Sequence, residues 1–174
     1  AIAQSLTIVK DSLNQLTQPF VSLDTATARI KTLGGESKAL AGDFRELSLK
    51  MSQDIPIGAG EMQTALYDAL SAGIKPSKDG IESFMTSAGK LAVGGMESVG
   101  NTVNLLSSLL NAYGEEANQA GAYSDFLFQT VNLGKTTIPE LNASLSQVIP
   151  TAAAAAANIQ NVGASLALMT ANGI

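Results

Sequence analysis

Apolar residues recur along the first part of the chain with the spacing of a helix that faces another helix. Between Ile2 and Ile30 the spacing alternates between four and three residues, which is the heptad pattern of a narrow apolar seam. Pro19 lies inside this run and is expected to kink or break the helix, and Thr27 places a polar side chain in the seam. The predicted self-association seam consists of Leu6, Val9, Leu13, Leu16, Phe20, Leu23 and Ile30.

A second amphipathic segment follows the pair Gly34 and Gly35, which ends the first. Its apolar residues, Leu40, Phe44, Leu47 and Met51, keep nearly the same spacing. Residues 1–53 are therefore predicted to form a coiled-coil-like helical stalk or hairpin. The character changes at residues 54–58, where the sequence Asp-Ile-Pro-Ile-Gly introduces shorter helices. Residues 54–174 are predicted to form a separate helical core.

Glycine punctuates this second region at nearly regular intervals. The predicted helix ends are Gly73, Gly94, Gly114, Gly134 and Gly173, in steps of about 20 residues or twice that. The pattern predicts an all-α fold, built as an array or bundle of helix–turn units. The side chains predicted to pack its core are Leu66, Leu70, Phe84, Leu91, Leu106, Leu110, Phe126, Val131, Leu141, Leu145 and Leu166.

Two helix starts carry the pattern of a capping box, in which two side chains satisfy free backbone N–H groups. One is predicted at Asp79 and Glu82. The other is predicted at Thr137 and Glu140, with proline in the first turn, where it is tolerated. Pro150 is expected to interrupt the chain before the alanine run at residues 152–157.

Composition removes most catalytic chemistry. The chain has no Cys and no His, so thiol catalysis, imidazole acid–base chemistry and the usual zinc sites are excluded. Its net charge is −5, no basic residue lies between Lys90 and Lys135, and no charged residue follows Glu140. Such a surface is a poor match for phosphates, so no specific nucleic-acid binding is expected. We also expect no cofactor and no enzyme activity.

Three short motifs have unremarkable interpretations. The Gly58-Ala59-Gly60 and Gly134-Lys135-Thr136-Thr137 sequences lack the strand and the glycine spacing of a phosphate loop, which favours turns. The carboxylates of residues 115, 116 and 125 have no second acidic cluster at ligand spacing, so no metal site is predicted.

No stretch approaches the roughly 20 apolar residues that cross a bilayer. A chain that begins with Ala rather than Met is expected to be a fragment of a longer protein.

Several segments of the second region are specific in their order and spacing. They are ALYDALSAG at 65–73, AGKLAVGG at 88–95, LNAYG at 110–114, SDFLFQTV at 124–131, LGKTT at 133–137, ELNASL at 140–145 and LMTANGI at 168–174. In this respect residues 40–174 resemble the core of phage tail tape measure proteins. Residues 1–39 are similar only in style, as the heptad-patterned helix upstream of that core.

This resemblance implies a structural virion protein that sets tail length by templating tail tube assembly and is released on DNA ejection. It implies a homo-oligomer, such as a trimer, inside the tail tube, assembled in the host cytoplasm. The partners it implies are the tail tube protein, tail tip or baseplate hub proteins and tail assembly chaperones, with membrane contact only after ejection. Two alternatives stay open: a membrane-perturbing helical protein that aids genome delivery, and a free helical-repeat binding scaffold.

Overall fold

The computed structural model describes residues 22–173, and every regular element within them is a helix. The all-α prediction is therefore confirmed. The described part of helix α1 covers residues 22–32, and a short 3-10 turn, Ala117–Gln119, precedes α7. The remaining helices are α2 (Gly35–Ala39), α3 (Ala41–Asp54), α4 (Ala59–Ser71), α5 (Lys78–Gly95), α6 (Val99–Tyr113), α7 (Ala120–Leu133), α8 (Ile138–Ala154) and α9 (Ile159–Ala171).

Helices α4 to α9 alternate between two rows. In one row α4 packs on α6 and α6 packs on α8; in the other α5 packs on α7 and α7 packs on α9. The rows meet mainly where α5 packs against α6, and α3 packs on α4 at one end of the array. Each helix thus lies beside the helix two positions later in the chain, which is the arrangement of stacked helix–turn units.

One hydrophobic cluster extends from Ile30 in α1 to Ile159 in α9. Of the predicted core residues, nine are buried in it, and Val131 and Leu166 are partly buried and pack against it. Phe44 and Met51 of α3 belong to the same cluster. The division predicted at residue 53 stays a prediction, since the described helices on both sides of it share these contacts.

Most of the predicted helix ends coincide with glycine. Gly114 is the C-cap of α6, and Gly73 and Gly173 follow the C-cap residues of α4 and α9; their φ angles are 67°, 96° and 77°, which side chains disfavour. The end predicted at Gly94 is confirmed to within one residue, because α5 ends at Gly95 and has Met96 as its C-cap, with a φ of 52°. A Cβ atom at residue 94 would lie 2.6 Å from Phe128 Cζ. Gly94 therefore also allows close packing against Phe128.

The capping box at Thr137 and Glu140 is confirmed. The backbone N–H of Glu140 donates to Thr137 Oγ1 at 3.4 Å, and that of Thr137 donates to Glu140 Oε2 at 2.9 Å. The box at Asp79 and Glu82 is wrong, because α5 begins after Ser77 and has no side-chain cap. Glu82 instead accepts a hydrogen bond from Lys50 Nζ at 2.9 Å.

The break predicted at Pro150 is also wrong, because α8 continues through it to Ala154. Proline removes one backbone N–H, and with it the bond to the carbonyl four residues earlier. The neighbouring side chains of Ile149 and Ala152 are buried, so packing holds this turn helical despite the lost bond. The helix ends just before Ala156, which has a φ of 51°.

Candidate interaction surfaces

No group of three or more His, Cys, Asp or Glu residues within 22–173 could hold a metal ion. In the same part of the chain, no helix has both the length and the apolar character needed to span a membrane. The acidic pair at residues 115 and 116 lies in the turn after α6, where Glu116 Oε1 is 3.5 Å from Lys75 Nζ.

A buried polar junction joins α1 to α3 and α4. Ser48 Oγ donates to Gln63 Oε1 at 2.6 Å, and Gln63 Nε2 donates to Thr27 Oγ1 at 3.2 Å. Thr27 Oγ1 in turn donates to the carbonyl of Leu23 at 2.8 Å. Ser48 and Gln63 are inaccessible to solvent. Because these hydrogen bonds form only when the helices are correctly aligned, they specify the position of α1. Sequence reasoning missed the junction, since neither α3 nor α4 carries a local signal for it.

Exposed contacts surround this junction. Arg45 Nη2 lies 3.2 Å from Asp24 Oδ1, and the guanidinium of Arg29 lies 4.0 Å from the centre of the Tyr67 ring. The Asp24 side chain is 68% exposed, so solvent screens its ion pair. A Cβ atom at Gly60 in α4 would overlap Ser22 Oγ, which shows how closely α1 approaches α4. These contacts orient α1 without adding much apolar burial.

The structure describes only two residues of the predicted seam. Leu23 and Ile30 are 1% and 0% exposed, so in the monomer their side chains pack against the same chain. Ala26 and Thr27 complete the buried face of α1. Five seam residues lie outside the described residues, and the seam stays a prediction for them: Leu6, Val9, Leu13, Leu16 and Phe20.

Glycines also set the close approach of α9 to α7. A Cβ atom at Gly163 would overlap the Phe126 ring, and one at Gly134 would lie 2.5 Å from Thr170 Oγ1. No side chain larger than hydrogen fits either position without movement. The sequence analysis missed Gly163, whose only signal is a glycine in the middle of an apolar helix.

Large apolar side chains remain exposed at the carboxyl ends of α5, α7 and α9. Met96 is 89% exposed, Leu133 73%, Leu168 66% and Met169 45%. Helix α9 carries no charged residue. Uncharged surfaces with exposed apolar side chains are typical of contacts with other proteins.

The tyrosines have structural roles. Tyr113 Oη donates to the carbonyl of Ala157 at 3.1 Å, and its ring centre lies 6.4 Å from that of Tyr123. Burial raises the pKa of Tyr113, and it raises that of Tyr123 together with the charge of Glu115. Both phenols therefore stay neutral near pH 7 and tie the end of α6 to its neighbours.

These features define an all-α structural segment with contact surfaces, and comparison with known proteins gives its family. The model of the phage-related minor tail protein family matches residues 45–174. A probable tape measure protein of Clostridium phage phiCD119 is 36% identical over 144 residues, which cover 82% of this chain. The chain belongs to the phage-related minor tail protein family and is a structural component of a phage tail.

The resemblance to tape measure proteins is thus confirmed. The chain spans only 15% of the length of the phiCD119 protein. No solved structure gave a significant match.

Proposed function

We propose that this chain is the compact core segment of a tail tape measure protein. As part of the whole protein, it helps to set tail length by templating tube assembly inside the tail, and it leaves the tube when DNA is ejected. The observation that carries the proposal is the 36% identity to a probable tape measure protein over most of this chain. No step of this role requires catalysis, which agrees with a chain that lacks Cys and His.

The two-row packing suggests which parts of such a protein determine length and which parts do not. An extended helix rises about 1.5 Å per residue, so its reach is proportional to its residue count. Helices α4 to α9 instead lie side by side, which shortens the distance that their residues span. We therefore assign the length-proportional role to other, extended parts of the protein. The described helices act as an anchoring element for the tube protein, the tip or baseplate hub, or an assembly chaperone.

Tail length in phage that carry altered forms of the full-length gene tests this division. Duplicating helix-forming heptads outside residues 22–173 is expected to lengthen tails in proportion to the residues added, as measured by electron microscopy. As a matched control, the same number of residues inserted as a flexible loop after Met96 is expected to leave length unchanged in the tails that assemble. Tails of unchanged length after heptad duplication would contradict the ruler role. Absence of the protein from purified tails would contradict the proposal altogether.

A further inference from the structure

The buried face of α1 is also the face that the heptad pattern assigns to a partner helix. In the sequence, Leu23 and Ile30 keep the 3.5-residue spacing of the predicted seam without a change of phase, so the heptad pattern assigns them to the face that meets a partner helix. In the structure this face is covered by α3 and α4 of the same chain. One face cannot pack on both partners at once. The two interactions are therefore mutually exclusive for α1.

The connection between α1 and the rest of the chain is built to allow a change of direction. Gly34 and Gly35 have φ angles of 73° and 50°, and a Cβ atom at either position would meet nothing within 4 Å. Gly34 combines its positive φ with a ψ of −169°, a conformation that is essentially restricted to glycine. The open space around both residues leaves the joint room to change conformation when α1 packs elsewhere.

The α1 contact is also less apolar than the rest of the core. Its described residues bury two large apolar side chains, Leu23 and Ile30, beside Ala26 and Thr27. The surface beneath contains Ser48 and Gln63, whose polar groups water can satisfy if α1 leaves. Release of α1 therefore exposes less apolar surface than release of a helix with an all-apolar face.

We propose that α1 is an exchangeable helix whose Leu23–Ile30 face packs either on α3 and α4 of its own chain or on the same face of a second copy of this chain. The Gly34–Gly35 joint is where the chain changes between the two arrangements. In the closed arrangement, in which α1 packs on α3 and α4, Gln63 Nε2 donates a hydrogen bond to Thr27 Oγ1. In the open arrangement, in which α1 packs on a second copy, Thr27 places a polar side chain in the seam. Self-association and the closed monomer then compete for one helix.

A disulfide that locks α1 in place tests the exchange. The natural chain has no cysteine, so Ser22→Cys with Gly60→Cys introduces a single pair. An ideal Cβ at residue 60 lies 3.0 Å from Ser22 Cβ, about half an ångström below the Cβ–Cβ range of disulfides, so a slight separation of α1 from α4 accommodates the bond. The variant is oxidised at high dilution, the intramolecular bond is verified by mass spectrometry, and the mass in solution is measured by sedimentation. We expect the oxidised form to associate more weakly than the reduced form, because its Leu23–Ile30 face stays on α3 and α4.

A second pair of variants tests the joint without cysteine. Ala at residue 34 is strained in the closed arrangement, whereas a released, helical joint accepts it readily. Gly34→Ala is therefore expected to strengthen association by about tenfold or more. Gly42→Ala is the matched control, because residue 42 lies in α3 with open space around its Cβ. That control is expected to associate as the natural chain does.

Three results would overturn the proposal. The oxidised form could associate as strongly as the reduced form, or Gly34→Ala could associate no more strongly than Gly42→Ala. In the third case, the natural chain and Gly34→Ala would both be monomers at every concentration. The outcome is separable from the proposed tail function. A protein that fails these tests and is still found in purified tails retains that function. A protein that passes them but is absent from tails retains only the exchange.

Discussion

The contact between α7 and α9 predicts an unusual response to a substitution that normally stabilises helices. Gly163 lies within α9, where replacing glycine by alanine gains up to about 1 kcal/mol of helix propensity. Here the new methyl group would overlap the Phe126 ring and lie 2.7 Å from Thr130 Oγ1. Phe126 is 9% exposed and Thr130 3%, so both side chains are surrounded by other protein groups and a shift of either disturbs its neighbours.

Overpacking of this kind costs about 1–3 kcal/mol, which exceeds the gain in propensity. We expect Gly163→Ala to lower the free energy of unfolding by about 1–2 kcal/mol and Tm by roughly 3–6 °C. Urea unfolding followed by circular dichroism measures the difference. Gly100→Ala is the matched control, because a Cβ atom there would meet nothing within 4 Å in the first turn of α6. That variant is expected to gain up to about 1 kcal/mol.

A double-mutant cycle assigns the effect to its cause. Phe126→Leu removes the ring that the new methyl group meets, so it should make Gly163→Ala less costly, with a coupling energy of about 0.5–3 kcal/mol. If Gly163→Ala stabilises the protein as much as Gly100→Ala does, α9 does not pack as closely on α7 as the structure shows. The reasoning from glycine contacts would then fail.

Three further measurements test other parts of the structure. Thr137→Ala removes the capping box of α8 and is expected to cost about 1 kcal/mol of unfolding free energy. Thr136→Ala removes only the exposed hydrogen bond from Thr136 Oγ1 to Glu140 Oε2 and keeps the N-cap side chain, so it is expected to cost less. Arg45→Ala is expected to change the unfolding free energy by less than about 1 kcal/mol, because its partner Asp24 is exposed to solvent. A larger loss would show that this ion pair stabilises the fold more than its exposure suggests. Burial raises the pKa of Tyr113 above its ordinary value of 10.0. Below pH 10 the phenol is neutral in both the folded and the unfolded protein, whereas above pH 10 it ionises more readily in the unfolded protein. Stability is therefore expected to fall as pH rises beyond 10, less steeply in Tyr113→Phe, and an equal slope in both proteins would contradict this origin.

Much of the fold could be predicted from local pattern. The helical period identified the helices from α3 onward, and the predicted core side chains lie in or against one hydrophobic cluster. Capping at Thr137 was predictable because its two partners are three residues apart. Pro150 and Glu82 were misread because distant partners decide their roles: the core around Ile149 for the proline, and Lys50 for the carboxylate. Sequence spacing alone contains none of these contacts.

The two ends of the helical array differ in how their helices are held. At the α9 end, backbone packs against side chains at Gly134 and Gly163, and any displacement of α9 would open space that nothing else fills. At the α1 end, the helix is held by two large apolar side chains and a polar junction, and the glycine joint beside it has open space around it: the side chains are Leu23 and Ile30, and the junction is Thr27, Gln63 and Ser48. Because water can replace the polar contacts but not the close packing, opening near α1 is expected to need less free energy than opening near α9. Hydrogen exchange measures this order: amides of residues 23–30 are expected to exchange faster than those of α7 that face α9. The reverse order would show that the polar junction holds α1 more firmly than its composition indicates.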